Sequence, residues 1–525
     1  MRKTTLFLLI VALLLGGCKS PGFGGVMTVS VQVDGTARQV EVEAGSTAAQ
    51  ALAQAGVALG PLDRTEPPLY TVLSDGDEIR VTRVVESFQT EEVILPFERQ
   101  TVRSESVPSG ETRLLQPGVN GLQELTYRIL TEDGVEVSRS VVKTVILQEP
   151  LAEIVMVGAQ SAFAPLPIPG RLVYLAGGNA WLMEDSTANR RPLVTTADLD
   201  GRIFTLSPDG NWLLYTRKSS KPPAEQINAL WVVRINDNPR PFSLNAANVV
   251  HFAAWAPTTT PTVFYSTVEP RATAPGWQAN NDLFRVTMTV AGPNQPRKIL
   301  EPNSGGVYGW WGMSFAFSPD NRLAYARPDE IGLVDQDSGY LKPLLEITPL
   351  QTHSDWAWIP GLAWGADSDT LFIVTHAPAP APVTAEESPF FDLTAASMVN
   401  NATVRLVQQT GMFAYPSASP VRSNGRENVY QVAYLQAIFP SQSETSRYRV
   451  VVMDRDGSNR RAVFPSADAP GLEPQTPAWA PEPVAGQTGD FLAVAYQGNL
   501  WLVDTGSGQA YQVTGDGLIS RVDWK

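Results

Sequence analysis

The 525-residue sequence contains one cysteine and three histidines, His251, His353 and His376. A single thiol closes no intramolecular disulfide, and it excludes cysteine-rich zinc sites and cysteine-ligated iron–sulfur clusters. The histidines lack HExxH or any other close ligand spacing, so none is assigned to a metal. Basic residues are in deficit, with 39 Lys and Arg against 53 Asp and Glu and a net charge of −14. This argues against a nucleic-acid partner, because phosphate binding needs a basic surface. Long apolar runs are also scarce. Leu6 to Leu15 is the exception, and it falls short of the ~20 apolar residues that span a bilayer. There is no Gly-x-Ser-x-Gly elbow, no Walker A loop and no Gly-x-Gly-x-x-Gly turn between strand and helix. The expectation is a non-enzyme without a cofactor. What is present is 43% hydrophobic residues, enough for substantial cores, with 41 Gly, 42 Pro and 13 Trp. That mix suits an all-β chain with many turns, and the length suits about three domains.

The one cysteine sits at the end of a targeting signal. Arg2 and Lys3 precede the apolar run, and Gly16-Gly17 lead to Cys18. Leu15-Gly16-Gly17-Cys18 resembles the bacterial lipobox, in which the thiol receives diacylglycerol. The alternative is a plain signal peptide with an accidental cysteine. The lipobox resemblance implies a signal peptide at 1–17, lipidation at Cys18, a tether at 18–26 and a lipid bilayer as partner. Lys19 rather than Asp follows the cysteine, which resembles the outer-membrane default of a two-membrane cell. In a one-membrane cell the chain would sit on the outer face of the cell membrane.

Residues 27–85 carry two alternating segments joined by Asp34-Gly35, then apolar residues at helical spacing from Ser46 to Ala55, stopped by Gly56. Val72 to Val84 is expected to return to strands around Asp75-Gly76. The order reads as a small β-grasp domain. With "LAQAGVALG" and "LSDGDEIRVTRV" it resembles the ubiquitin-like domains found beside G5 domains in cell-wall proteins of the resuscitation-promoting-factor type. Residues 86–160 contain Gly110, Gly118, Gly121, Gly134 and Gly158 among alternating strands. "VPSGETRLLQPGVNGLQELTYRILTEDGVEV" resembles the five-glycine, or G5, domain. A thin β-ribbon needs glycine at sharp turns and close backbone approaches. The resemblance implies a surface protein whose stalk engages peptidoglycan or another N-acetylglucosamine-containing glycan. A stiff spacer is the other reading.

Residues 161–170 are Pro-rich and read as a semi-rigid linker. The remainder, 171–525, repeats. Polar turns recur at Ser207–Gly210, Trp255–Thr258, Phe317–Asn321, Trp364–Ser368 and Trp479–Pro483. Second strands begin near 172, 212, 263, 323, 371, 430 and 491, a period of about 40–60 residues that marks a β-propeller. Seven starts predict seven blades, with six or eight left open by the degeneracy of the repeat. Ile519 to Trp524 reads as a first strand that completes the N-terminal blade and closes the ring. The "SPDG … LAY … NLWVVD" style resembles the TolB-type, WD40-like propellers of bacterial envelope proteins.

Asp335–Gly339 and Asp454–Asn459 look locally like calcium loops, but neither continues into a twelve-residue EF-hand pattern. Each follows a third strand, where a hairpin turn is expected. The strongest constellation is aromatic. Trp310 and Trp311 precede one innermost strand, and His353, Asp355, Trp356 and Trp358 hold the same place in the next. Exposed Trp beside polar groups is equipment for a sugar ring, so these six residues are the candidate ligand site. Packing between blades is the competing role for each Trp. A protein inserted at the channel mouth is an equally compatible ligand. Residues 377–389 are expected to form an exposed Pro-rich loop. The function expected is a lipid-anchored envelope binding or scaffold protein. The alternatives are a carbohydrate-active enzyme with paired channel carboxylates and a purely structural spacer.

Overall fold

The computed structural model describes residues 25–104, 107, 111–158, 163–289, 292–423, 428–487 and 489–525. Cys18 and the signal segment lie outside the described residues. The chain divides into two compact units, one spanning Met1–Gln100 with Leu114–Ile154 and the other Thr101–Arg113 with Val155–Lys525. Among the described residues no helix is long and apolar enough to cross a membrane.

The β-grasp forms as its pattern dictates. Met27, Val29, Val31 and Val33 alternate into the core of strand Val26–Val33. This strand pairs antiparallel with Thr36–Glu43 across Asp34-Gly35, whose φ angles of 51° and 74° suit a tight hairpin. Thr47 and Gln50 form a reciprocal capping box on helix Ala48–Gln54, which buries Ala48, Ala51 and Leu52 against the sheet. The chain returns as Glu78–Thr82, parallel to the first strand. Within Val72–Val84 the only other strand residue is Val84, which opens the next strand. Val72 makes a single bridge to Thr47, and the Asp75 carboxylate accepts the Thr28 N–H. An edge strand with no apolar pattern, Arg64–Glu66, completes the sheet.

Val84–Leu95, Gly121–Glu132 and Val135–Gln148 form a three-stranded ribbon with Gly121–Glu132 in the centre. The last strand has 14 residues, and every one but Val145 is exposed. Glycine does what a thin ribbon requires. A Cβ on Gly121 would lie 2.4 Å from the Gln148 carbonyl oxygen, and one on Gly118 would lie 2.3 Å from the Phe97 ring. A second three-stranded sheet orders Arg99–Ser104, Glu153–Gly158 and Thr112–Gln116. The ribbon's Asp133-Gly134 turn meets the β-grasp at Arg83. Its N–H donates to the Asp133 carboxylate, and its guanidinium pairs with Asp34 and Asp63 at 2.9 and 2.6 Å. Burial pushes the Asp63 carboxyl up, but N–H groups of Gly60 and Val84 together with Arg83 outweigh it and hold the group below its ordinary value.

From Pro167 onward, the described residues form seven successive antiparallel sheets and two small hairpins. The seven innermost strands are Ile519–Trp524, Leu199–Leu206, Ala253–Trp255, Ser314–Phe317, Leu362–Trp364, Ser417–Ala418 and Ala478–Trp479. The first sheet consists of Pro167–Ala176, Asn179–Val194 and the C-terminal Ile519–Trp524. Leu172 stands opposite Trp524 and Tyr174 opposite Val522, so the ring closes on itself as a β-propeller. The second strands fall where the repeat predicted, from Trp212–Lys218 to Phe491–Tyr496. Their "LLY" and "LAY" residues are buried because these strands are covered on both faces. Each sheet from the second to the seventh also has an outer fourth strand, such as Pro241–Ala247 and Thr403–Val407, that the repeat did not reveal.

Candidate functional site

The innermost strands enclose a channel of about 980 Å³. Its tryptophans are largely committed to the ring itself. Trp255 donates its indole N–H to the Thr205 carbonyl, Trp364 to Ala316 and Trp479 to Ser417, at 3.3, 2.9 and 3.0 Å. In each case the acceptor lies on the innermost strand of the preceding sheet, so one indole fastens two sheets. Asp523 is the one carboxylate among the described lining residues. Its Oδ2 accepts from the Thr205 hydroxyl and the Leu206 N–H, both at 2.8 Å. A glycoside-cleaving pair needs two carboxyl groups roughly 5–10 Å apart beside the substrate. Among the described lining residues Asp523 has no second side-chain carboxylate beside it to form such a pair.

The six residues expected to form one ligand site separate into two groups. Among the described residues no hydrogen bond, ion pair or ring contact connects them. Trp310 and Trp311 lead into Ser314–Phe317 and are half-buried. Trp311 has ring centroids at 5.2 Å from Trp277, 5.6 Å from His251 and 5.9 Å from Trp310, and His251 lies 5.6 Å from Trp277. The Arg202 guanidinium sits over Trp277 at 5.2 Å. Burial, reinforced by the positive charge of Arg202, pushes the His251 imidazole down to about 4, so it is neutral at pH 7. Its Nε2 and the Trp277 Nε1 are buried with no hydrogen-bond partner among the described residues. The patch therefore combines π faces, a cation and two unspent polar nitrogens. Sequence reasoning missed Trp277 and Arg202. Trp277 lies in a small inserted hairpin, Val268–Pro270 with Trp277–Ala279, whose register no repeat position announces.

In the second group, His353 and Asp355 are exposed and Trp356 is half-buried against the core. His353 adopts φ 53°, with Nε2 3.4 Å from Glu387 in the Pro-rich insertion. That insertion is exposed from 380 to 387, as expected, but it also returns onto the ring, since Gln351 N–H donates to the Glu386 carbonyl at 2.8 Å. Trp358 corrects the expectation. It is 2% exposed, donates its N–H to the Met412 carbonyl at 3.0 Å and packs on Phe391 at 4.8 Å. A Trp two residues from a half-exposed Trp has entered the core between sheets and presents nothing to a ligand.

The calcium-like segments are hairpin turns. The Asp335 carboxylate accepts the N–H groups of Asp337 and Ser338, which hold it below its ordinary value. Asp454 accepts from Asn459, and Asp456 from Ser458. Among the described residues no group of three or more His, Cys, Asp or Glu side chains is placed to hold a metal.

A closed propeller preceded by a β-grasp and a glycine-dependent ribbon defines the class of protein. Family comparison makes the ribbon and the β-grasp specific. Residues 86–160 match the G5 domain, and residues 29–69 match the G5-linked ubiquitin-like domain. The chain is 27% identical over 154 residues to resuscitation-promoting factor RpfB of Mycolicibacterium smegmatis, covering 29% of this chain. The chain spans 40% of the length of that curated relative. Among solved structures, HP0197-G5 is 22% identical, with 14% of this chain and 99% of that one covered and a TM-score of 0.14. TolB from Acinetobacter baumannii is 12% identical, with 71% and 96% covered and a TM-score of 0.34. The G5 and G5-linked ubiquitin-like matches are those of an extracytoplasmic protein of the cell envelope.

Proposed function

We propose that this chain is an exported, lipid-anchored binding or scaffold protein of the cell surface, held through Cys18. Its parts are a signal peptide at 1–17, a tether at 18–26, a β-grasp at 27–85, a G5 stalk at 86–160, a linker at 161–170 and a recognition propeller at 171–525. The stalk engages N-acetylglucosamine-containing glycan of the cell wall. The observation that carries this reading is the succession of a G5-linked ubiquitin-like domain and a G5 domain. The propeller presents the Trp277–Trp310–Trp311 patch to a glycan or protein ligand, with His353, Asp355 and Trp356 as a second exposed feature. It acts without catalysis.

The test is retention of the protein on purified peptidoglycan, with and without residues 27–159. Equal retention of the truncated protein removes the stalk from the binding reading. Mass spectrometry of the N-terminus in the native host should show diacylglyceryl-Cys18, and a free thiol there ends the anchoring claim. On a glycan or surface-protein array, Trp311→Ala should lose signal while retaining its fold.

A further inference from the structure

A second cavity lies between the third and fourth sheets of the ring, apart from the channel and the tryptophan patch. It sits on the side bearing the turns that follow the innermost strands. Its volume is about 240 Å³. That is below the ~300–1,000 Å³ of drug-sized pockets and suits a ligand of one ring.

Strand register explains its lining. In the third sheet Thr262 stands opposite Thr287 and Phe264 opposite Arg285, so these four side chains project from one face. The turn Thr258-Thr259-Thr260 borders them on one side, and Asn321 and Gln336 of the fourth sheet close the other. Among the described residues no carboxylate lines the cavity. Arg271 and Arg322 nearby in sequence are paired with Glu269 and Asp320. Arg285 makes no ion pair among the described residues, in a chain with an excess of acids. An unpaired guanidinium offers a fork of donors matched to a carboxylate or phosphate.

The acceptors narrow the ligand further. Asn321 Oδ1 is buried with no hydrogen-bond partner among the described residues, and the Asn321 carbonyl accepts from the Gln336 amide at 2.6 Å. The hydroxyls of Thr258 and Thr262 spend their protons on the Thr260 carbonyl at 2.8 and 3.0 Å, which leaves the Thr258 oxygen as an acceptor and the Thr262 oxygen with one lone pair beyond its 3.3 Å contact with the Thr287 hydroxyl. A bare oxyanion satisfies the arginine but has no donor for these oxygens. A neutral sugar does the reverse.

We propose that this cavity binds a small polyhydroxylated carboxylate of the sugar-acid class. The carboxylate pairs with Arg285, and ligand hydroxyls donate to Asn321 and the threonine oxygens. The site is independent of the stalk and of the tryptophan patch.

The experiment is titration calorimetry of the full exported chain with glucuronate, glucose and inorganic phosphate. Glucuronate should bind, and glucose and phosphate should bind at least tenfold more weakly. Arg285→Gln should lose glucuronate at least tenfold with an unchanged melting temperature. Arg285→Lys, which keeps the charge without the fork, should show a smaller loss and serves if the first variant does not fold. Trp311→Ala should bind glucuronate as the unsubstituted protein does, so failure of the patch reading leaves this one standing. Absent glucuronate binding, phosphate binding as tight as glucuronate, or binding unaffected by substitution of Arg285 would each overturn the proposal.

Discussion

The ribbon and the ring are both built of antiparallel strands, yet they hold together in opposite ways. Val135–Gln148 runs 14 residues and buries none of them, whereas Thr262–Tyr265 has four residues and buries all four. In the ribbon, strand length replaces a core. Order comes from ladder hydrogen bonds, cross-strand pairs and backbones packed closer than a side chain allows. In the ring, inner and second strands of two to ten residues suffice because each sheet packs on both neighbours. The same sequence property, apolar alternation, therefore marks a core-forming strand in one region and a solvated platform in the other.

The largest effect should come from the ring's packing. Trp358→Ala removes a buried indole and its hydrogen bond, costing about 3–5 kcal/mol. Hydrogen exchange resolved by region should show the loss in residues 314–407 and leave the ribbon amides unchanged. A loss spread equally over both regions would break the contrast. Next is Gly121→Ala. Its Cβ meets backbone at the Gln148 carbonyl and at Pro150, so the strands must part, at about 1–3 kcal/mol. Faster proteolysis within 84–148 alone would sharpen the comparison. Trp479→Phe keeps an aromatic ring but deletes the N–H to Ser417, and should lower the ring's stability by about 0.5–1.5 kcal/mol, read from its denaturation midpoint. The smallest change should be Phe88→Ser on the ribbon. At 62% exposure it should fall within about 0.5 kcal/mol, and a larger cost in the same midpoint would mean the ribbon carries hidden packing.

The parts of the fold legible in the sequence are those whose burial is unambiguous. Second strands announce themselves because "LAY" and "LLY" are apolar on both faces, and Ile519–Trp524 was readable as the closing strand because the repeat starts one strand late. The outer fourth strands were not readable. Pro241–Ala247 and Thr403–Val407 each expose three residues and bury few, and their apolar residues are too sparse to mark a strand. The third strand of the fifth sheet, Phe390–Ser397, was hidden behind the Pro-rich insertion that displaces it from its expected spacing. At the candidate site, composition identified Trp310 and Trp311 but not their partners. Trp277 reaches them through an inserted hairpin, and Arg202 from the second sheet, relationships that exist only after the ring closes. The Trp356–Trp358 pair shows the limit most plainly, since local sequence does not say which of two neighbouring indoles turns inward.

The indole clasps also give the ring two kinds of seam. Trp255, Trp364 and Trp479 fasten the second sheet to the third, the fourth to the fifth and the sixth to the seventh. The corresponding inner-strand positions of the second, fourth and sixth sheets hold Leu206, Phe317 and Ala418, which donate no such bond. Other bonds serve those joints: Asp523 accepts from Thr205 and Leu206 between the first and second sheets, Asn281 donates to the Gly309 carbonyl between the third and fourth, and Trp358 donates to the Met412 carbonyl between the fifth and sixth. The sugar-acid cavity straddles the joint between the third and fourth sheets, where no indole among the described residues clasps one innermost strand to the next, and a ligand held there would add a rivet of its own to that seam.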